Sequence, residues 1–214
     1  MRFPGRILPT LILLAAPVLA APPVGDLFNG HDFAGWEFVA VPTADMSAVC
    51  RLLPEGVIAA AGRPVGFIAT TASYENYRLH AEWRWPGQSG NSGVLVHISS
   101  GLKDRAWPLC LQIQTKHGSA GDLLPMAGAS FAEPLTSAPG AATAIKTRTA
   151  PDSEKPAGEW NACDVTCRGD TVEVFINGVR QNKITRVTPS AGRVGFQFEG
   201  TPFEIRRVSI VRLD

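Results

Sequence analysis

Alternating apolar and polar residues along much of the chain predict β-strands, and few windows have helical periodicity. The alternation is clearest in residues 77–85, 109–114 and 194–199, and residues 205–213 have the character of a final strand. A further apolar run, residues 172–176, leads into Asn177-Gly178, a dipeptide typical of a β-hairpin turn. Because these segments are short and separated by Gly, Pro and Asn, they predict an all-β sandwich.

The side-chain parity of each strand predicts which residues face outward. In a sandwich the apolar parity faces the core, which places Val94, Val96 and Ile98 inward and His97 outward. The predicted outward set is rich in amides and charged groups, and it consists of Glu82, Arg84, Gly93, Leu95, His97, Cys110, Gln112, Gln114, Gly195, Gln197 and Glu199. The alternative is that these are the ordinary polar residues of any sheet that has one face exposed to solvent.

The outward side chains suit a carbohydrate ligand, because amides and carboxylates match the donors and acceptors of a sugar. Six of them are expected to gather in one ligand-binding hollow: Glu82, Arg84, His97, Gln112, Gln197 and Glu199. Gly93 and Gly195 are expected to leave space above the sheet, and Trp36 and Trp107 are candidates for stacking on a sugar ring.

Two loop regions add further expectations. His117 and Asp122 follow the Gln112 strand in a glycine-containing loop, where they suit a base with its orienting acid or, alternatively, a capped turn. Residues 123–158 lack alternation and are rich in Ala, Pro, Thr and Ser, which predicts a long loop over one face. An insertion without a role is the alternative interpretation of that segment.

The N-terminus has the features of a secretory signal. Arg2 and Arg6 precede an apolar run at residues 7–18, and Val18-Leu19-Ala20 fits a small-x-small cleavage site. We therefore expect a signal peptide at residues 1–20, a mature domain at 21–214, and a periplasmic or secreted protein. An uncleaved amphipathic anchor is the alternative.

Charge and composition exclude several classes of function. Loss of Arg2 and Arg6 changes the formal charge from +1 to −1, and the sequence contains no basic stripe for nucleic acid. No segment is long and apolar enough to span a membrane, and no spacing predicts a metal or cofactor site. The oligomeric state is not indicated.

The four cysteines leave two possibilities open. Cys163 and Cys167 lie four residues apart in a predicted strand, roughly 13 Å in extended geometry, which is too far for a disulfide. Cys50 and Cys110 remain as partners, or all four are buried free thiols.

Several motifs together resemble the 3-keto-disaccharide hydrolase domain, formerly a domain of unknown function. They cover nearly all of the mature chain, in order: LFNGHDFAGW at 27–36, GNSGV at 90–94, GSAGD at 118–122, GEWN at 158–161, VFING at 174–178, and 192–200 followed by Arg206-Arg207-Val208. The resemblance implies an exported concanavalin A-like jelly roll that acts on glycosides oxidised at the sugar C3 position.

The resemblance also implies a mechanism. A C3 ketone acidifies the C2 proton, a base removes this proton, the aglycone leaves from C1, and water adds afterwards.

The family often carries Glu at the position of Cys110 and Arg at that of His97. The remaining catalytic candidates are Glu199, His97 and His117. The substrate-binding candidates are Glu82, Arg84, Asn91, Gln112, Lys116, Asp122 and Gln197. Because the family Glu is replaced by Cys110, a non-catalytic carbohydrate-binding module is the main alternative. A structural or partner-binding domain is a third.

Overall fold

The computed structural model describes residues 25–214, which form sixteen strands and one short helix. The predicted signal peptide, residues 1–20, lies outside the described residues, so the boundary at residue 21 stays a prediction. The strands are β1 (Gly25–Asp26), β2 (Trp36–Ala40), β3 (Cys50–Leu53), β4 (Val57–Ala60), β5 (Gly66–Thr70), β6 (Tyr77–Arg84), β7 (Gly93–Ile98), β8 (Leu102–Asp104), β9 (Trp107–Pro108), β10 (Cys110–Gln114), β11 (Leu123–Met126), β12 (Asn161–Arg168), β13 (Thr171–Ile176), β14 (Val179–Ile184), β15 (Arg193–Phe198) and β16 (Phe203–Arg212). The helix α1 is Met46–Val49, and a 3₁₀ turn covers Pro54–Gly56.

The strands form two antiparallel sheets and a small ribbon. The first sheet has the order β14-β13-β12-β6-β16-β4-β3, with β1 also paired to β16. The second sheet has the order β11-β10-β7-β15-β5-β2, and β8 pairs with β9 as a separate ribbon. The predicted hairpin at Asn177-Gly178 joins β13 to β14.

The inner faces of the two sheets share one hydrophobic core. From the first sheet, β6 contributes Leu79, Ala81 and Trp83, which are at most 2% exposed. The second sheet contributes alternate residues of its central strands: Val94, Val96, Leu111, Ile113, Val194, Phe196 and Phe198. The inward parity predicted for these residues is confirmed. The fold is the predicted all-β, concanavalin A-like jelly-roll sandwich.

All four cysteines are buried and free. Cys50, Cys163 and Cys167 belong to the main core, whereas Cys110 packs on the outer side of the second sheet. Burial raises the pKa of the Cys50 thiol to about 12, so this thiol stays protonated at neutral pH. The interpretation as buried thiols is confirmed, and a Cys50–Cys110 disulfide is not formed.

The long segment after β11 is held by backbone hydrogen bonds to the edges of both sheets. Its backbone bonds to the far end of the first sheet, where the Thr149 amide donates to the Gln181 carbonyl at 2.7 Å. On the other side, Leu123 and Lys146 exchange backbone hydrogen bonds at 2.9 Å. The segment therefore bridges β14 and β11, the outermost strands of the two sheets.

Within residues 25–214, no helix combines the length and the apolar character needed to cross a membrane.

Candidate functional site

The six residues expected in one hollow are divided between two opposite surfaces. Glu82 and Arg84 alternate with core residues of β6, so they lie on the outer face of the first sheet. Gln112 and Gln197 alternate with core residues of β10 and β15, which places them on the outer face of the second sheet. The core separates the two faces, so the prediction that Glu82 and Arg84 join this site was wrong.

On the first sheet, Glu82 and Glu204 are each paired with arginine side chains. Glu82 accepts hydrogen bonds from Arg206 Nε at 2.5 Å and from Arg207 at 3.1 Å, and Arg84 Nε donates to Glu204 at 2.6 Å. Burial alone would raise the pKa of Glu82, but these two arginines lower it overall. The Trp160 ring stacks with the guanidinium groups of Arg84 and Arg206, whose Cζ atoms lie 4.6 and 4.0 Å from its centroid. This part of the face is an ionic surface in which each of these carboxylates is paired with arginine.

His97 points into the sandwich, which corrects its predicted outward orientation. A register irregularity opposite β15 and a positive φ of 56° at His97 reverse the side-chain parity at the end of β7. The imidazole packs edge-on against Tyr77 with centroids 6.0 Å apart, and Nδ1 donates to the Pro189 carbonyl at 2.9 Å. Burial lowers the pKa of His97 to about 4. Ile98, predicted to face inward, instead joins the outer apolar cluster.

Part of the outer face of the second sheet is covered by hydrophobic side chains. A second hydrophobic cluster lies there, formed by Phe67, Ala69, Leu95, Ile98 and Cys110, with Val39 and Met126 packed against it. Burial in this cluster raises the pKa of the Cys110 thiol well above its usual range. Cys110 therefore provides no base on this part of the face.

The rest of this face carries three linked glutamines. Gln112 Nε2 donates to Gln114 Oε1 and to Gln197 Oε1, both at 3.0 Å. The Gln112 side chain crosses above Gly93, where an added Cβ would lie 2.7 Å from Gln112 Cγ. Gln112 Oε1 is buried and has no hydrogen-bond partner among the described residues. Within residues 25–214 it is thus an unpaired acceptor just beneath the surface of this face.

Glu199 lies at the end of this glutamine row. Asn91 Nδ2 donates to Glu199 Oε2 at 2.8 Å, and Glu199 is partly exposed. Burial raises the pKa of Glu199, although the charge of Lys116 and a hydrogen bond from Gln197 oppose the rise. We name this group the amide–carboxylate strip; its members are Asn91, Gln112, Gln114, Lys116, Gln197 and Glu199. A carboxylate in such a setting can accept a proton.

The loop after β10 does not pair His117 with Asp122. His117 Nδ1 lies 3.2 Å from Glu154, whose side chain is 2% exposed and also accepts hydrogen bonds from the Gly118 amide and Trp85 Nε1. Asp122 accepts a hydrogen bond from the Arg148 amide at 2.8 Å. Asp122 thus anchors the long segment, and of the two alternatives for this loop the pairing of His117 with Asp122 is wrong.

The expected space above Gly195 and the expected sugar stacking on Trp36 were also wrong, whereas stacking on Trp107 stays a prediction. An added Cβ on Gly195 would lie 2.1 Å from the Ile68 carbonyl oxygen, so this glycine permits close strand packing and leaves no space for a ligand. Trp36 is 7% exposed and stacks on Phe28, with ring centroids 4.0 Å apart. Trp107 lies in the β8–β9 ribbon, beyond the end of β7 that is farthest from Asn91.

Sequence reasoning missed Glu154 and did not include Gln114 among the candidate site residues. The parity of Gln114 was identified, but its place in the strip depends on the contact with Gln112. Glu154 lies in the long segment, where no periodicity distinguishes it from its neighbours. Among residues 25–214, no three His, Cys, Asp or Glu side chains are grouped to hold a metal ion.

The sequence match assigns the chain to a family of domains. The chain belongs to the 3-keto-alpha-glucoside-1,2-lyase-like domain family, whose sequence pattern it matches over residues 23–211. A search of the curated proteins gives no significant match.

Three solved structures show how widely this fold is shared. A candidate glycosyl hydrolase from Parabacteroides distasonis is 23% identical over 90% of this chain and 94% of its own, with a TM-score of 0.67. The carbohydrate binding module CBM66 from Bacillus subtilis is 12% identical over 83% of this chain and 95% of its own, with a TM-score of 0.55. LamAcat from Zobellia galactanivorans is 11% identical over 83% of this chain and 90% of its own, also with a TM-score of 0.55. Family and fold together support a carbohydrate-active protein.

Proposed function

We propose that this chain is an exported enzyme that cleaves 3-keto-glycosides on the outer face of the second sheet. The observation that carries the proposal is Glu199, a partly buried carboxylate of raised pKa held by the Asn91 amide at 2.8 Å. Membership of the 3-keto-alpha-glucoside-1,2-lyase-like domain family supports the choice of substrate class. Export rests on the signal sequence pattern of residues 1–20.

Glu199 acts as the general base in this mechanism. Its carboxylate takes the C2 proton of the 3-keto sugar, and the electron pair of the C2–H bond forms an enolate with the C3 carbonyl. The enolate then re-forms the ketone and expels the aglycone oxygen from C1, which leaves a C1=C2 double bond. The departing oxygen takes up one proton. Water finally adds a hydroxyl at C1 and a proton at C2, so the net reaction is hydrolysis.

The other strip residues bind and polarise the sugar. The exposed Lys116 ammonium, whose charge already acts on Glu199, is suited to stabilise the negative charge that develops on the C3 oxygen. Gln112 and Gln197 orient the sugar hydroxyls through their amides. His97 takes no part, because its ring lies inside the sandwich. A catalytic role for His117, which is exposed and held by Glu154, stays a prediction.

The proposal is tested by incubating the purified chain with an aryl 3-keto-glucoside and with the corresponding unoxidised glucoside. We expect release of the aryl alcohol from the 3-keto substrate alone, because only the ketone acidifies the C2 proton. Both reactions are run with and without added divalent metal. Release no faster than in buffer under all of these conditions would reject the enzyme proposal.

The replacement of the family Glu by Cys110 favours a second candidate, a non-catalytic carbohydrate-binding module. Cys110 is fully buried in the apolar cluster, so this part of the face lacks a carboxylate. Calorimetry with intact glycans separates the two candidates, because a module binds glycans and 3-keto-glycosides without cleaving either. Turnover of the 3-keto substrate would exclude this alternative.

A further inference from the structure

Glu199 and Asn91 both lie where the chain passes between the two sheets. Residues 199–202 lead from β15 to β16, and residues 85–92 lead from β6 to β7. A third crossing, residues 61–65, leads from β4 to β5 and bonds to the first, since the Gly200 amide donates to the Gly62 carbonyl at 2.8 Å. The three crossings therefore pack together at one end of the sandwich.

Thr201 is held between two glycines of the neighbouring crossings. An added Cβ on Gly90 would lie 2.2 Å from both Cβ and Oγ1 of Thr201. An added Cβ on Gly62 would lie 2.2 Å from the Thr201 carbonyl oxygen. Contacts this short are not tolerated between real atoms, so both positions require glycine for the close approach of Thr201.

The two residues of the Gly90–Thr201 contact lie next to Asn91 and close to Glu199 in the chain, so the contact affects the position of the proposed base. Gly90 precedes Asn91, and Thr201 follows Glu199 by two residues. A displacement of either crossing would therefore change the 2.8 Å hydrogen bond between the Asn91 amide and the Glu199 carboxylate. Arg63 Nε further fixes the Glu199 crossing by donating to the Gly200 carbonyl at 3.2 Å.

We propose that Gly90 is a positioning residue, whose close contact with Thr201 sets the hydrogen bond between Asn91 and Glu199. This inference rests on the proposed function, because it assigns Glu199 as the base. Gly90 touches no reacting atom and acts through the two crossings. The charged group that acts on Glu199 is Lys116, from the turn after β10, while Arg63, from the third crossing, bonds the carbonyl of the following residue, Gly200.

The test is a pair of substitutions in which one side chain makes room for the other. Gly90→Ala pushes Thr201 away, and we expect kcat/KM on a 3-keto-glucoside to fall by about tenfold or more. The acid limb of the pH–rate profile should move to higher pH, because Glu199 loses a donor that stabilises its charged form. Gly90→Ala combined with Thr201→Gly should restore both quantities, since the clash is with side-chain atoms of Thr201.

Gly62→Ala is the matched control. Its added Cβ meets backbone atoms of Thr201, and its φ of +73° disfavours a side chain, so Thr201→Gly should not rescue it. Thr201→Ala is a milder variant in case Gly90→Ala does not fold, and it should move the acid limb in the same direction by less. A lowered Tm with an unmoved acid limb, or no rescue by Thr201→Gly, would overturn the proposal.

A direct measurement separates this inference from the enzyme proposal. The pKa of Glu199 can be followed by the ¹³C chemical shift of its carboxyl, which needs no turnover. If the wild-type chain does not cleave 3-keto-glycosides but Gly90→Ala still raises this pKa and Thr201→Gly reverses the rise, the positioning contact stands and the enzyme proposal fails. An unchanged carboxyl titration in Gly90→Ala would reject the positioning contact itself.

Discussion

The outer faces of the two sheets differ in how their polar groups are paired. On the first sheet, the carboxylates of Glu82 and Glu204 both bond arginines. On the second sheet, Glu199 is bonded by an amide, and the Oε1 atom of Gln112 is buried without a partner among the described residues. The carboxylates of the first face are thus paired with opposite charges, whereas the carboxylate of the second face has a neutral donor.

The cause of this difference is the identity of the neighbouring strand. On the first sheet, the register places Glu204 opposite Arg84 and Arg206 opposite Glu82, so β16 supplies a counter-charge to both of these outward residues of β6. On the second sheet, the neighbours of β15 are β7 and β5, which place only uncharged residues opposite its outward positions: Leu95 and Ala69 opposite Gly195, and Phe67 opposite Gln197. The same alternation within each strand therefore gives a structural face in one sheet and a candidate site in the other.

The largest effect is expected from removing the carboxylate of the second face. Glu199→Gln should lower kcat on a 3-keto-glucoside by about 10²–10⁴-fold, the usual contribution of a general base. Stability should change little, because the substitution removes a charge that burial already disfavours. Steady-state kinetics and thermal unfolding measure the two quantities. Full activity in Glu199→Gln would remove Glu199 from the mechanism.

The next largest effect is a loss of folding stability at acid pH, caused by His97, whose side chain lies in the core between the two faces. Its pKa is about 4 in the folded state, below the ordinary value of 6.5, so the unfolded chain binds the proton more tightly. Stability should therefore be complete above pH 6.5 and fall by about 3 kcal/mol as the pH decreases to 4. Urea unfolding at several pH values measures this loss.

A matched pair of variants assigns that loss to His97. His97→Asn retains a donor for the Pro189 carbonyl and suits the positive φ, so it should remove the slope between pH 6.5 and 4. His31→Asn, at an exposed position, should leave the slope unchanged. An unchanged slope in His97→Asn would contradict the assignment.

A smaller effect on stability is expected from breaking the ionic surface of the first sheet. Glu82→Gln leaves Arg206 without its carboxylate partner and should destabilise the fold by about 1–3 kcal/mol. Because Glu82 is separated from the strip by the core, kcat/KM should stay within about twofold of wild type. Reduced turnover at unchanged stability would mean that the first sheet contributes to the site after all.

The smallest effect is expected on sugar affinity, from a substitution among the glutamines of the amide–carboxylate strip. Gln112→Ala removes the buried acceptor and should weaken sugar binding by about tenfold, or roughly 1.4 kcal/mol. Thr166→Ala, on the outer face of the first sheet, is the control and should bind as wild type does. Calorimetry compares the two variants, and equal affinities would count against the strip as the binding surface.

Part of the candidate site could be predicted because parity is a local property. Gln112, Gln197 and Glu199 were placed on the outward side from apolar alternation alone, and the structure brings them together with Asn91. The parity of His97 could not be predicted, because the irregularity at the end of β7 depends on its pairing with β15. Glu154 was missed because its contact with His117 joins segments 37 residues apart in the sequence.

The sequence by itself determined the all-β sandwich, the inward parity of most core residues and the family resemblance, because side-chain alternation and turn residues are short-range properties. Only the tertiary structure decided which sheet each strand joins, and therefore that Glu82 and Arg84 face away from Glu199. Strand order depends on pairing between segments far apart along the chain, and similar alternating segments can satisfy many such pairings locally. The surface on which an outward residue lies is for that reason a property of the assembled sheets.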